Sequence, residues 1–261
     1  MDMYEFLHLE KKDGVATLTI DRPPLNVLSK QVFREIKEAF ETLAEDSEVV
    51  VTVLRTAGDK AFVAGADIKE FPEMIGNKEA KTSIMAGHDV LNVIDSFPKP
   101  TIVVLDGLTL GGGCELALAF DIRIAEEHVQ IGLPEIKLGI FPGGGGTQRL
   151  SRLVGEAKAK ELMYTGETIS ALEAKEIGLV NHVTNTGAGM TKAINMAETI
   201  SNYSLQSLSR IKKAVDVGGE MNLKDGIDFE ADLFAEVFQT EDVKEGVHAF
   251  IEKRKPTFKH K

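Results

Sequence analysis

From Val15 to Asp21 the chain alternates apolar and polar side chains (Val-Ala-Thr-Leu-Thr-Ile-Asp), which predicts a strand with one buried face. Arg22-Pro23-Pro24 ends it, because proline lacks the N–H that a ladder needs. The period then changes. Val32, Ile36, Phe40 and Leu43 share one face of a helix that Ser29 can cap. Val49 to Leu54 is a continuous, largely β-branched run, the pattern of a strand covered on both faces. A glycine-containing segment, Gly58 to Gly65, leads to Ala66-Asp67-Ile68, and a helix is predicted from about Thr82-Ser83, either of which can cap it, to Asp95.

A strand over Thr101–Leu105 follows, then Leu110-Gly111-Gly112-Gly113-Cys114-Glu115-Leu116-Ala117, with a short helix predicted from Cys114. Ile122–Ala125 and Val129–Ile131 read as short strands around Glu126-Glu127, and Leu133-Pro134-Glu135 as a loop or strand end. Phe141-Pro142 and four glycines, Gly143 to Gly146, make a turn before a helix near Thr147, and Leu179–Val183 reads as the last strand. From Ala188 the pattern is purely helical: to about Ser201, then Leu205–Val217, Leu223–Phe238 and Val243–Glu252. Strands alternating with helices predict α/β architecture with an appended helical layer. The expected division is a core over 1–195 and a helical region over 196–261.

Composition narrows the function classes. The 261 residues are enough for a substantial core, and 43% hydrophobic with 27% charged side chains is ordinary for a globular protein. A net charge of −11 argues against nucleic-acid binding, which needs clustered Lys and Arg. It also means that any anionic ligand needs local positive charge. The single cysteine, Cys114, excludes an internal disulfide and a cysteine-based zinc site. The histidines, among them His88, His128, His182 and His248, show no ligand spacing, so no metal is expected. There is no apolar run of about 18 residues and no targeting pattern at the N-terminus, so the chain reads as cytoplasmic, with no membrane partner.

The glycine runs could cradle a nucleotide, but the details disagree. A phosphate-binding loop ends in Gly-Lys-Ser/Thr, whereas Gly146 is followed by Thr147-Gln148-Arg149. Leu116 stands where a dinucleotide fingerprint needs its third glycine. What the 110–117 run does offer is a sharp turn and a helix start, where free N–H groups and a partial positive charge favour a developing anion. Alone, Glu115 there reads as a dipole-favoured cap and Glu135 as a solvated loop acid.

Together the segments say more. Ala61 to Ile68, Leu110 to Leu116, Pro134 to Gly139 through Gly146-Thr147-Gln148-Arg149-Leu150, Tyr164-Thr165-Gly166, Ala171 to Val180 and Phe250-Ile251-Glu252-Lys253-Arg254 resemble, in order and spacing, the enoyl-CoA hydratase/isomerase (crotonase) family. The resemblance covers nearly the whole chain. It implies an α/β spiral of β-β-α turns with a C-terminal helical trimerisation region, and a homohexamer built as two stacked trimers. It also implies an acyl-CoA thioester substrate, with coenzyme A as part of the substrate and no separate cofactor.

Carried over by position, the resemblance assigns an oxyanion hole to the backbone N–H groups of Ala66 and Gly112. Glu115 would hold and help deprotonate the water, and Glu135 would exchange a proton with the substrate α-carbon. Gly143 would offer an N–H to the water or to Glu135. Ala64, Asp67 and Ile68 match the loop around the CoA, and Phe250 and Lys253 match a pair supplied by a neighbouring subunit. The expected reaction is hydration of a trans-2-enoyl-CoA to a 3-hydroxyacyl-CoA, in fatty-acid β-oxidation or related acyl-CoA breakdown.

A Δ3-Δ2 enoyl-CoA isomerase is the alternative, because it can work with a single acid. A non-catalytic RNA-binding protein on the same scaffold is the remote one. It would call for a basic helix, yet Gln31–Glu45 carries Arg34 and Lys37 against Glu35, Glu38, Glu41 and Glu45. Three departures stand out. Arg22-Pro23-Pro24-Leu25-Asn26 is one residue shorter than in many relatives, which puts a CoA contact there in doubt. Asp106-Gly107 replaces the commoner asparagine-glycine and reads as a neutral turn change. Cys114 matches a position often held by cysteine and reads as buried packing.

Overall fold

The computed structural model describes residues 4–261. Two sheets carry the chain. The larger has six strands: β1 (Leu7–Lys12), β2 (Val15–Ile20), β3 (Val51–Thr56), β5 (Thr101–Leu105), β7 (Ile122–Glu126) and β10 (His182–Thr184), in that spatial order. β1 and β2 form an antiparallel hairpin, and the other neighbours are parallel. The smaller has β4 (Ala61–Ala64), β6 (Leu108–Leu110), β8 (Gln130–Gly132) and an antiparallel edge strand, β9 (Thr168–Ser170).

The chain visits the large sheet, then the small one, then a helix, and repeats. β3 and β4 lead to α2 (Ala80–Asp95), β5 and β6 to α3 (Gly112–Leu118), and β7 and β8 through the 3-10 helix Pro134–Leu138 to α4 (Gly146–Val154). This is the expected spiral of β-β-α turns. An earlier, incomplete turn runs from β2 to α1 (Lys30–Glu45), with Leu28 bridging to Ala66 as a stub of the small sheet.

The large sheet is covered on both faces, as the apolar runs of its parallel strands require. Val103 and Leu105 of β5 point to the core that holds Phe40 and Phe97, packed edge to face. Ile102 and Val104 point to the other side, against Ala193 and Ala197 of α7 (Gly189–Ser201). α7 therefore packs as one rod on the sheet, and the division expected after residue 195 cuts through it. The change to helices that leave the sheet comes after Ser201. α8 (Leu205–Gly218) and α9 (Leu223–Val237) pair through a close approach of Gly218 and Gly226, and α10 (Glu241–Ile251) follows.

Several elements differ from the sequence reading. β1 is an edge strand whose Glu10, Lys11 and Lys12 face solvent, so it lacks an apolar signature. β4, β6 and β9, with three or four residues each, are too short for a period. α5 (Glu156–Thr165) and α6 (Ala171–Glu176) were not predicted either. α2 starts at Ala80 with no side-chain cap, so neither Thr82 nor Ser83 caps it, and α3 starts at Gly112 rather than Cys114. The last strand is His182–Thr184, because Leu179 and Val180 turn back and donate to the Ala174 carbonyl before pairing resumes. Ser29 does cap α1, accepting from the Val32 N–H. The carbonyls at the other end of α1 are met by buried Lys99, which donates to Leu43 and Asp46. Among the described residues no helix is long and apolar enough to cross a membrane.

Asp106 is not a neutral turn residue. It is largely buried between β5 and β6, and burial pushes its carboxyl up to about 6 although Thr56 donates a hydroxyl to it at 2.8 Å. The folded state then holds a proton that the unfolded chain gives up near 3.8, so stability falls as pH rises from about 3.8 through 6. Asp106→Asn keeps an acceptor for Thr56 and cannot ionise. It is expected to raise stability above pH 7 by up to about 3 kcal/mol and to change little near pH 4, as thermal melts at the two pH values would show.

Candidate active site

The site is built around the N-terminal end of α3. Gly111 precedes the helix with φ +53, a conformation that suits glycine, and a Cβ there would lie 2.8 Å from Glu135 Oε1. Glycine at this place lets the second acid reach the helix start. Gly113 has no room for a side chain either, since its Cβ would overlap Val63 of β4.

Gly112 and Ala66 are brought together from different turns of the spiral. A Cβ built on Gly112 would lie 3.3 Å from the Ala66 nitrogen and 3.6 Å from Leu28. In the Leu28–Ala66 bridge the donors are Leu28 and Asp67, to the carbonyls of Gly65 and Leu28, so the Ala66 N–H is not used. The Gly112 N–H, at the first position of α3, has no intrahelical acceptor. Among the described residues neither N–H donates to a protein oxygen. Two neighbouring, half-buried donors without protein acceptors suit an oxygen that gains negative charge.

Glu115, in the first turn of α3, is 4% exposed. Its Oε1 accepts the N–H groups of Gly144 at 2.7 Å and Gly146 at 2.8 Å. The glycine turn thus holds Glu115 through Gly144 and Gly146. Desolvation raises the Glu115 carboxyl, and these two donors, with His88 and Arg149, pull the other way. Glu135 lies in the first turn of the 3-10 helix Pro134–Leu138, not in the expected loop. Burial, with Glu115 as a like charge nearby, raises it to about 7. Its Oε2 is buried with no hydrogen-bond partner among the described residues. A half-ionised acid with one unpartnered oxygen suits proton transfer near neutral pH.

The Ala64–Ile68 loop is fixed from behind. Asp67 Oδ2 accepts from Arg22 Nη2 at 2.8 Å, and Asp67 Oδ1 accepts the Lys69 N–H. Arg22 also donates to the Val27 carbonyl and lies over the Phe6 ring. Both carboxylate oxygens of Asp67 are therefore committed within the chain, and Ile68 is exposed. Asp67→Ala is expected to lower kcat about tenfold by loosening Ala66, less than the 10²–10³ typical of losing a whole donor. Steady-state kinetics check this, and a change confined to KM would make Asp67 a substrate contact instead.

Phe250, 87% exposed near the end of α10, and Lys253, just beyond it with φ +56, make no hydrogen bond or ion pair with the acids. Cys114 is buried, and burial raises its thiol well above the usual range, so it packs rather than reacts. Arg22, Arg149 and the specific donors Gly144 and Gly146 were not found in the sequence. The run of four glycines was the signal for Gly144 and Gly146; Arg22 and Arg149 had none of their own.

Residues 10–261 match the model of the enoyl-CoA hydratase/isomerase family. A short-chain-enoyl-CoA hydratase of Clostridium acetobutylicum is 43% identical over 95% of this chain and 95% of its own length. A crotonyl-CoA hydratase of Syntrophomonas wolfei is 41% identical over 98% of each chain. The crystal structure of an enoyl-CoA hydratase from Bacillus anthracis, 38% identical, superimposes with a TM-score of 0.94 over 98% of this chain and 100% of that one. With two unpaired N–H donors, a buried Glu115 and a half-buried Glu135 on a spiral of this topology, the chain belongs to the enoyl-CoA hydratase/isomerase family.

Proposed function

We propose that this protein adds water across the 2,3 double bond of a short-chain trans-2-enoyl-CoA to give the 3-hydroxyacyl-CoA. The observation that carries the reading is a buried Glu115 and a half-buried Glu135, both carboxyls raised by desolvation, beside two free backbone donors. The thioester oxygen sits on the N–H groups of Ala66 and Gly112. Glu115, held by Gly144 and Gly146, binds the water and helps deprotonate it as its oxygen bonds to C3. Charge moves through the double bond to the thioester oxygen, and Glu135 delivers a proton to C2. At that point Glu115 carries the proton taken from the water and Glu135 has lost its own. Transfer of that proton from Glu115 to Glu135, directly or by exchange with solvent, resets both acids, so the water has in net supplied hydroxyl and proton. The chemistry calls for no cofactor, since coenzyme A is part of the substrate.

Two acids favour hydration over double-bond isomerisation, which needs only one. The names of the relatives point to short acyl chains, and breakdown of fatty or related acyl-CoA in the cytoplasm is the setting proposed. Loss of enoyl-thioester absorbance from crotonyl-CoA tests the reaction, and a series of longer enoyl-CoAs tests the chain length. Unchanged absorbance across the series, with conversion of a 3-enoyl-CoA, would replace hydratase with isomerase.

We further propose a homohexamer of two stacked trimers in which Phe250 and Lys253 serve a neighbouring site. Exposed Ile211, Val215, Phe234, Phe238 and Phe250 on α8–α10 support it, because so much apolar surface on one helical layer favours burial against another copy. Light scattering that gives the mass of a monomer would overturn this.

A further inference from the structure

Arg149 has no part in the reaction as proposed, yet it is placed directly behind Glu115. Its side chain, 17% exposed, extends from α4 toward α2. Nη2 donates to Asn92 Oδ1 at 2.9 Å and, with Nε, to Asp95 Oδ2 at 3.1 and 3.3 Å. Nη1 is left lying against the α-carbon of Gly145, so closely that any Cβ there would overlap it. Gly145 has φ +105 and its carbonyl accepts the N–H of Arg149 at 2.8 Å, so both main chain and side chain of Arg149 grip this glycine. On either side of Gly145 are Gly144 and Gly146, whose N–H groups hold Glu115 Oε1. His88, four residues before Asn92 on the same helix, comes within 4.0 Å of where a Cβ on Gly145 would lie.

We propose that Arg149 is a positioning residue for Glu115: anchored on α2 by Asn92 and Asp95, it fixes the Gly144–Gly146 arc so that two N–H donors stay on one carboxylate oxygen, and it sets a positive charge behind them. The inference rests on Glu115 being the acid that holds the water. Arg149 is the residue type this requires, because a planar fork can engage Asn92 and Asp95 through Nε and Nη2 and still set Nη1 against a glycine. A lysine can supply charge but not the fork.

The charge acts in a defined company. Glu115 is faced by Glu135 from the 3-10 helix, by His88 from α2 and by Arg149 from α4, while its neighbour Cys114 is an uncharged buried thiol. Asp95 offsets part of the guanidinium charge, but its side chain is 53% exposed and water screens it more than it screens Arg149. Arg149 therefore favours the ionised form of Glu115, against the direction in which burial shifts its carboxyl.

The test compares Arg149→Met, Arg149→Lys and Glu115→Gln in crotonyl-CoA hydration, with kcat and KM measured from pH 5 to 9. Arg149→Met is expected to lower kcat about 10- to 100-fold, part of what losing oriented donors costs, with KM changed less than about threefold. It should also move the acid limb of the kcat profile to higher pH by about half a unit or more, because a positive charge has left the acid pair. Arg149→Lys should restore the limb toward its original position but recover kcat only in part. A smaller folded fraction scales the whole profile without moving its limb, so poor folding does not mimic the effect. An inactive Glu115→Gln beside Arg149 variants with an unmoved limb and normal kcat would overturn the proposal alone. A fully active Glu115→Gln would overturn the reading of Glu115 on which it rests.

Discussion

Glu135→Gln is expected to lower kcat for crotonyl-CoA hydration by about 10²–10⁴-fold, the usual worth of a positioned proton donor. The amide keeps the shape of the side chain but cannot deliver a proton to C2. The same change should raise stability at alkaline pH. Burial raises the Glu135 carboxyl from 4.5 to about 7, so the folded state keeps a proton through a window in which the unfolded chain has lost it. Stability is thus lost as pH rises from about 4.5 through 7, and the cost remains above it. Glutamine carries no such cost, so the variant should melt higher than wild type at pH 8, with the gap narrowing toward pH 5. Lost turnover with a higher melting temperature separates chemistry from unfolding. Near-normal turnover would remove Glu135 from the mechanism.

Gly112→Pro is expected to lower kcat about 10²–10³-fold relative to Gly112→Ala, because proline deletes an oxyanion donor worth about 2.7–4 kcal/mol. Proline is tolerated at the first position of a helix, where the N–H has no intrahelical acceptor, so α3 should survive. Alanine is the needed reference. Its Cβ would sit 3.3 Å from the Ala66 nitrogen and crowd the same pocket while keeping the N–H. The difference between the two variants, measured at saturating crotonyl-CoA, isolates the donor. Equal rates would mean that the Gly112 N–H does not hold the thioester oxygen.

Much of this site could be read from the chain, but unevenly. The turn at Gly111–Gly113 was legible because glycines before an apolar helix have a local meaning, and Glu115 follows them directly. Glu135 was legible only through the family resemblance. Its own neighbours, Pro134 and Ile136, say nothing of a buried carboxyl, and its partner is twenty residues away. The donors that hold Glu115, Gly144 and Gly146, were not singled out, since a run of four glycines carries no side chains to distinguish one N–H from the next. Asp106 shows the opposite failure. A turn acid normally costs nothing, and only the closing of β5 over Thr56 makes it a buried one.

By itself, the sequence determined the elements whose period outweighs local noise: a buried strand read over 49–54 and found at 51–56, the strand over 101–105, the Ser29-capped α1, and the helical last quarter. Those depend on alternation, capping and helix faces, which are properties of neighbouring residues. Tertiary structure decided which segments meet. It brought Ala66 of one spiral turn to Gly112 of the next, Glu135 to the start of α3, Arg22 to Asp67 and Arg149 to Asn92 and Asp95. Contacts of that kind come from strand register and the stacking of turns, and no local pattern encodes them.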